Sequence, residues 1–180
     1  MSLASNLKIG IIGPGRCGKD TAAEFLAKIT PMLYTAGTSY WARHIVYRSL
    51  PWYKRLWYWN ADRCWRLHRH KARQYWADKI GEYNRDDPVQ LYSDCLGEQN
   101  FLTGVRWRHE FEAIKKAGLC DLWVWIERPG CVDPTCELTA EDADIVINNT
   151  GTLTDFYFEL VLFARGLGFS MPFMRAIYAS

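Results

Sequence analysis

The sequence predicts a three-layer α/β fold: a central, mostly parallel sheet with helices on both faces. Three observations carry that expectation. Short β-branched runs alternate with stretches whose apolar residues recur at helical spacing, a Gly-rich turn joins the first run to the first helix, and no linker, repeat or second core interrupts the order. Strands that alternate with helices form right-handed β-α-β units, which make a parallel sheet. A chain of 180 residues is one domain's length and buries a core without disulfides or structural metals; 49% apolar and 23% charged residues exclude disordered and collagen-like classes.

Each element follows in order. Lys8 to Ile12 is a buried-strand run ending at glycine, and Thr21 to Ile29 carries Ala22, Phe25, Leu26 and Ile29 on one helical face. Pro31 stops that helix, Met32 to Thr35 is a candidate second strand, and Ser39 is a candidate N-cap for a helix to about Leu50. Beyond Pro51, Trp65, Ala72, Trp76, Ile80 and Tyr83 fall on one helix face, with Arg66, Arg69, Arg73 and Lys79 on the other. Asp86-Asp87-Pro88 breaks this helix. A short helix from Val89 to Leu96 and a strand from Asn100 to Val105 follow, then a helix from His109 to Ala117 capped by Gly118. Leu122 to Ile126 and Ala143 to Ile147 read as strands buried on both faces, about five strands in all. Thr152 with Asp155 forms a capping box for a last helix to about Arg165.

The opening residues lack a basic stretch followed by a long apolar run, and the apolar stretch from Phe156 to Phe163 is short and broken by Glu159. Neither a signal peptide nor a membrane span is expected. Six cysteines then suggest a reducing cytoplasm and free thiols; Cys131 and Cys136 lack the spacing of a zinc site. Net charge is only +2, but Trp41 to Arg85 holds eleven Lys/Arg against three Asp/Glu, leaving −6 for the remainder. Six of the nine Trp lie in the same insert. Such a segment can be core and lid, a nucleic-acid surface, or a subunit interface.

Gly13-Pro14-Gly15-Arg16-Cys17-Gly18-Lys19 fits the phosphate-binding pattern G-x-x-x-x-G-K, between a strand and a helix as the chemistry requires. Glycines let backbone N–H groups turn inward on phosphate oxygens, the helix N-terminus adds partial positive charge, and Lys19 reaches the outer phosphates. The next residue is Asp20 where a Ser or Thr usually ligates magnesium, and Thr21 follows. Asp20 is the candidate metal ligand; its alternative is an acid that favours the helix dipole. His44, His68, His70 and His109 make no catalytic constellation.

Gly18-Lys19-Asp20-Thr21, Gly104-Val105-Arg106-Trp107 with Glu110, Glu112 and Ile114, Arg128-Pro129-Gly130, and Asp144 to Leu153 together resemble the bacteriophage deoxynucleoside monophosphate kinases, in order along nearly the whole chain. The resemblance implies a P-loop kinase fold, ATP with Mg2+, a deoxynucleoside monophosphate as acceptor, and, for a phage protein, the host cytoplasm. It departs at Gly104, where such proteins carry an acid that serves magnesium. Asp20 largely alone, Asp94 or another acid in its place, or weakened or altered activity are the three ways this departure reads.

Phosphoryl transfer needs alignment and positive charge more than covalent help. Arg106, just past a strand's carboxyl end, is placed to contact phosphate. Arg16 either touches the γ-phosphate or points outward. The resemblance puts Arg43 and Arg85 with the acceptor, and Arg128 and Asn149 on the loops facing the nucleotide. Three functions follow: a mononucleotide kinase, a kinase of the same fold acting on hydroxymethyluracil in DNA, or a nucleotide- or DNA-binding protein without catalysis. DNA and a second copy of the chain are therefore further candidate partners of residues 41–85.

Overall fold

Four parallel strands form the sheet: β1 (Ile9–Ile12), β2 (Phe101–Thr103), β3 (Leu122–Glu127) and β4 (Ile145–Asn148), in the order β2-β1-β3-β4. The architecture is that of a computed structural model, which describes residues 6–68 and 73–169. The helices in chain order are α1 (Lys19–Ile29), α2 (Thr38–Ser49), α3 (Trp52–Tyr58), α4 (Ala61–His68), α5 (Arg73–Tyr83), α6 (Gln90–Glu98), α7 (Arg108–Lys116) and α8 (Leu153–Gly166).

Alternation along the strands sorts side chains into two layers. Ile9, Ile11, Val124, Ile126 and Ile147 pack with Ala22, Leu26, Phe156 and Leu160 of α1 and α8. Ile12, Leu102, Trp123 and Trp125 pack on the other face with Tyr92, Leu96, Phe111 and Ile114 of α6 and α7. Gly10 makes the second layer close: a Cβ there would sit 2.3 Å from the Trp123 ring, so the indole lies directly across the β1 backbone. A third apolar cluster, Val46, Leu50, Cys64 and Trp76, joins α2, α4 and α5. The register pairs Ile11 with Thr103 and Ile12 with Trp125. The turns leaving β1 and β2 therefore emerge side by side at the carboxyl edge, where ligands bind in open parallel sheets.

The three-layer α/β expectation holds, with four corrections. Met32 to Thr35 is extended but not a strand: Asn100 N–H donates to the Leu33 carbonyl at 2.7 Å, yet Leu33 N–H goes to the Asn100 side chain and the Thr35 and Ala36 N–H groups to Gln99 Oε1. Side-chain amides have replaced the ladder, leaving four strands rather than five. Helix α2 starts two residues early, with Gly37 as N-cap and Ser39 inside the first turn. Strand β4 is not buried on both faces: it is an edge strand, with Ile145 and Val146 exposed and only Ile147 buried.

The fourth correction concerns the insert. One helix from 65 to 83 would separate Trp65 and Trp76 by about 16 Å at 1.5 Å per residue. Their rings lie 4.9 Å apart, edge to face, because α4 and α5 pack against each other through them. Tyr83 does not pack inward; it is partly exposed and donates to Asp94. Helix α3 appears where the sequence showed no pattern, and none of its residues is buried. Arg69, His70 and Ala72 lie outside the described residues, as do the side chains of His68 and Arg73. Elsewhere the expected caps form: the Thr152–Asp155 box opens α8, and Gly118, at φ 65°, closes α7.

Candidate phosphate-binding site

β1 hands over to α1 through two left-handed glycines, Gly13 at φ 143° and Gly18 at φ 105°. Neither tolerates a side chain. A Cβ at Gly13 would lie 2.9 Å from Cys17 Sγ and from the Ile126 carbonyl, and one at Gly18 would lie 2.8 Å from Asn149 Nδ2. Gly18 is the N-cap of α1 and has no side chain to cap it, so the first-turn N–H groups lack an intrahelical acceptor. Lys19 is only 8% exposed; its Nζ folds back to donate to the carbonyls of Gly13 at 2.8 Å and Pro14 at 2.5 Å. The turn thus holds a buried ammonium at its centre, satisfied by two of its own carbonyls. Burial pushes the Cys17 thiol beside it up, so it stays neutral.

Asp20 closes one side. Its Oδ1 accepts from Thr103 Oγ1 at 2.7 Å and from Tyr34 Oη at 2.9 Å. Burial raises the Tyr34 pKa and Asp20 raises it further, which keeps the phenol a donor. Gly37 makes this cluster possible, since a Cβ there would lie 2.7 Å from Thr103 Oγ1. At Gly104 the backbone has φ 101°, and a Cβ would sit 2.2 Å from Thr38 Oγ1. A carboxylate side chain does not fit there. Nor does Asp94 take its place, because its oxygens accept from Tyr83 and from Gln90 Nε2. Asp20, oriented by two hydroxyls on one oxygen, stays beside the loop, and Asp133 is a second acid there.

Among the described residues no group of three or more His, Cys, Asp or Glu side chains could hold a metal. Asp20 is the carboxylate beside the loop that could hold Mg2+, an ion bound by one or two carboxylates together with substrate phosphates and waters.

Asp133 closes the other side. Its Oδ2 accepts from Gly15 N–H at 2.9 Å and pairs with Arg106 Nη1 at 3.3 Å, while Oδ1 accepts from Thr135 Oγ1. These partners, Thr135 foremost and then Arg106 and Gly15, hold its carboxyl below the usual range. A loop N–H and a guanidinium expected to meet phosphate thus share a protein carboxylate.

The structure brings together Gly13, Gly15, Gly18, Lys19, Asp20, Thr21 and Arg106. The others take different places. Arg16 sits in the left-handed region at φ 65° with its side chain exposed. Asn149 is buried under the loop, donating to the Cys17 carbonyl at 2.8 Å, so it buttresses the turn. Arg43 ties α2 to α4 through Asp62 at 2.5 Å and lies over the Tyr40 and Trp65 rings. Arg85 and Arg128 are exposed in turns. Tyr34, Thr103 and Asp133 were not legible in the sequence; Thr103, at the end of a strand before a glycine, offered the only signal.

Fold and loop together define the class: a three-layer α/β protein whose first strand and helix are joined by a glycine-rich loop folded around a buried lysine. No protein-family model matches the chain, and no curated protein matches its sequence. Among solved structures it is similar to the unliganded crystal structure of a sugar kinase from Janibacter sp. HTCC2649, with 12% identity, 88% of this chain and 94% of that chain covered, and a TM-score of 0.45. A likeness at that level says nothing about substrate.

Proposed function

We propose that the chain is an ATP-dependent phosphotransferase that converts a deoxynucleoside monophosphate to the diphosphate. The main support is the Gly13–Lys19 loop: two left-handed glycines, an uncapped helix start and a buried ammonium. Loop N–H groups take the β-phosphate, and Lys19 exchanges the Gly13 and Pro14 carbonyls for phosphate oxygens. Asp20 would hold Mg2+, which would supply neutralising charge to the transferring group. An acceptor phosphate oxygen forms its bond to the γ-phosphorus as the bond to the β-bridging oxygen breaks, and ADP leaves. Arg106 orients the acceptor or the γ-phosphate once it parts from Asp133. An acceptor that is already an anion needs no strong base, consistent with the scattered histidines.

The test is magnesium-dependent ADP release with each deoxynucleoside monophosphate, wild type beside Lys19→Ala. Stimulation by one or more of them, lost in the variant, is expected. Undiminished release by Lys19→Ala sinks the assignment, and stimulation by DNA alone moves the acceptor from a free nucleotide to a polymer.

A further inference from the structure

α3 is a helix with no buried residue, and it packs against α4. On and beside it stand Trp52, Tyr53, Leu56, Trp57 and Trp59, the last two 75% and 80% exposed. Rings in that position are not core, and a soluble surface rarely gathers so many. The same surface is cationic: Lys54, Arg55, Arg63 and Arg66 are all exposed. Among the described residues none of the four is in a salt bridge, and Asp62, the one acid between Trp52 and Leu67, is taken by Arg43.

Tyr53, Leu56, Trp57, Trp59 and Arg63 line an open hollow. Rings on its walls with a guanidinium among them suit a flat, π-faced group joined to an anion. A lipid surface calls instead for an apolar helix face with its cations on the opposite face, whereas here Arg63 lines the hollow among the rings. From this hollow and its unpaired charge we propose that α3 and α4 form a docking surface for single-stranded nucleic acid: bases stack on Trp57, Trp59 and Tyr53, while Arg63, Lys54, Arg55 and Arg66 meet the phosphates. The surface makes no use of Lys19, so it stands whether or not the loop binds ATP.

The test is fluorescence anisotropy of a labelled oligo-dT strand with the full chain at 50 and 200 mM salt. Four phosphate contacts give a log–log slope of about −2.8, or about 50-fold weaker binding across that range. Trp57→Ala and Trp59→Ala, at exposed positions that leave the fold intact by circular dichroism, are each expected to weaken binding about tenfold. Arg63→Gln is expected to flatten the salt slope, and Phe158→Ala, exposed on α8, to change nothing. The same strand paired into a duplex is expected to bind more weakly, its bases being already stacked. Absence of strand binding overturns the proposal, as does binding indifferent to Trp57, Trp59 and Arg63. So does an outcome in which these substitutions abolish only binding to anionic phospholipid vesicles, or only self-association of the chain.

Discussion

Gly104 shows how one position decides two questions. Its φ of 101° strains any L side chain, and a Cβ there would press to 2.2 Å from Thr38 Oγ1, so the acid expected at this position carries a steric cost. Gly104→Asp is therefore expected to cost about 1–3 kcal/mol in a urea titration, without raising turnover. A variant as stable as wild type and more active refutes this. Asp133 presents the opposite case, a carboxylate competing with the proposed phosphate for Gly15 N–H and Arg106. Asp133→Asn is expected to tighten ATP binding several-fold by calorimetry. Because its carboxyl lies below the usual range, Asp133 stabilises the fold fully above the ordinary aspartate value near 4, and that share is lost as pH falls through its lowered value. Urea stability of Asp133→Asn should thus fall less than that of wild type between pH 7 and pH 3.

At the scale of elements, the helices around Trp76 hold together by their own cluster. Trp76 is 3% exposed and meets Trp65 edge to face, with Val46, Leu50 and Cys64 around it. Trp76→Ala is expected to cost about 3–5 kcal/mol by the cavity it leaves. If its loss is under about 1 kcal/mol, α2, α4 and α5 are not packed as described. Elements with their own local signals were legible: β1, β3, α1, α7 and α8 all form where periodicity, Gly118 and the Thr152–Asp155 box predict them. Met32 to Thr35 was misread because its apolar pattern is that of a strand, while the Gln99 and Asn100 amides that take its hydrogen bonds lie more than sixty residues away.

For the whole molecule, binding to the native state alone raises stability by mass action. ATP with magnesium at a hundred times its Kd is expected to add about 2.7 kcal/mol, visible as a higher Tm, and Lys19→Ala to remove that gain. An unchanged wild-type Tm would count against ATP as the loop's ligand. By itself the sequence determined the layer order and the loop between β1 and α1, because glycine positions, helical periodicity and caps act over a few residues. Tertiary structure alone decided that Tyr34 and Thr103 orient Asp20, that Asp133 shares Gly15 and Arg106, and that Arg43 serves the insert through Asp62. Those contacts span from 14 to 118 positions of the chain; the parallel register of β1, β2 and β3 brings the loop contacts to one edge, while the packing of α2 on α4 joins Arg43 to Asp62.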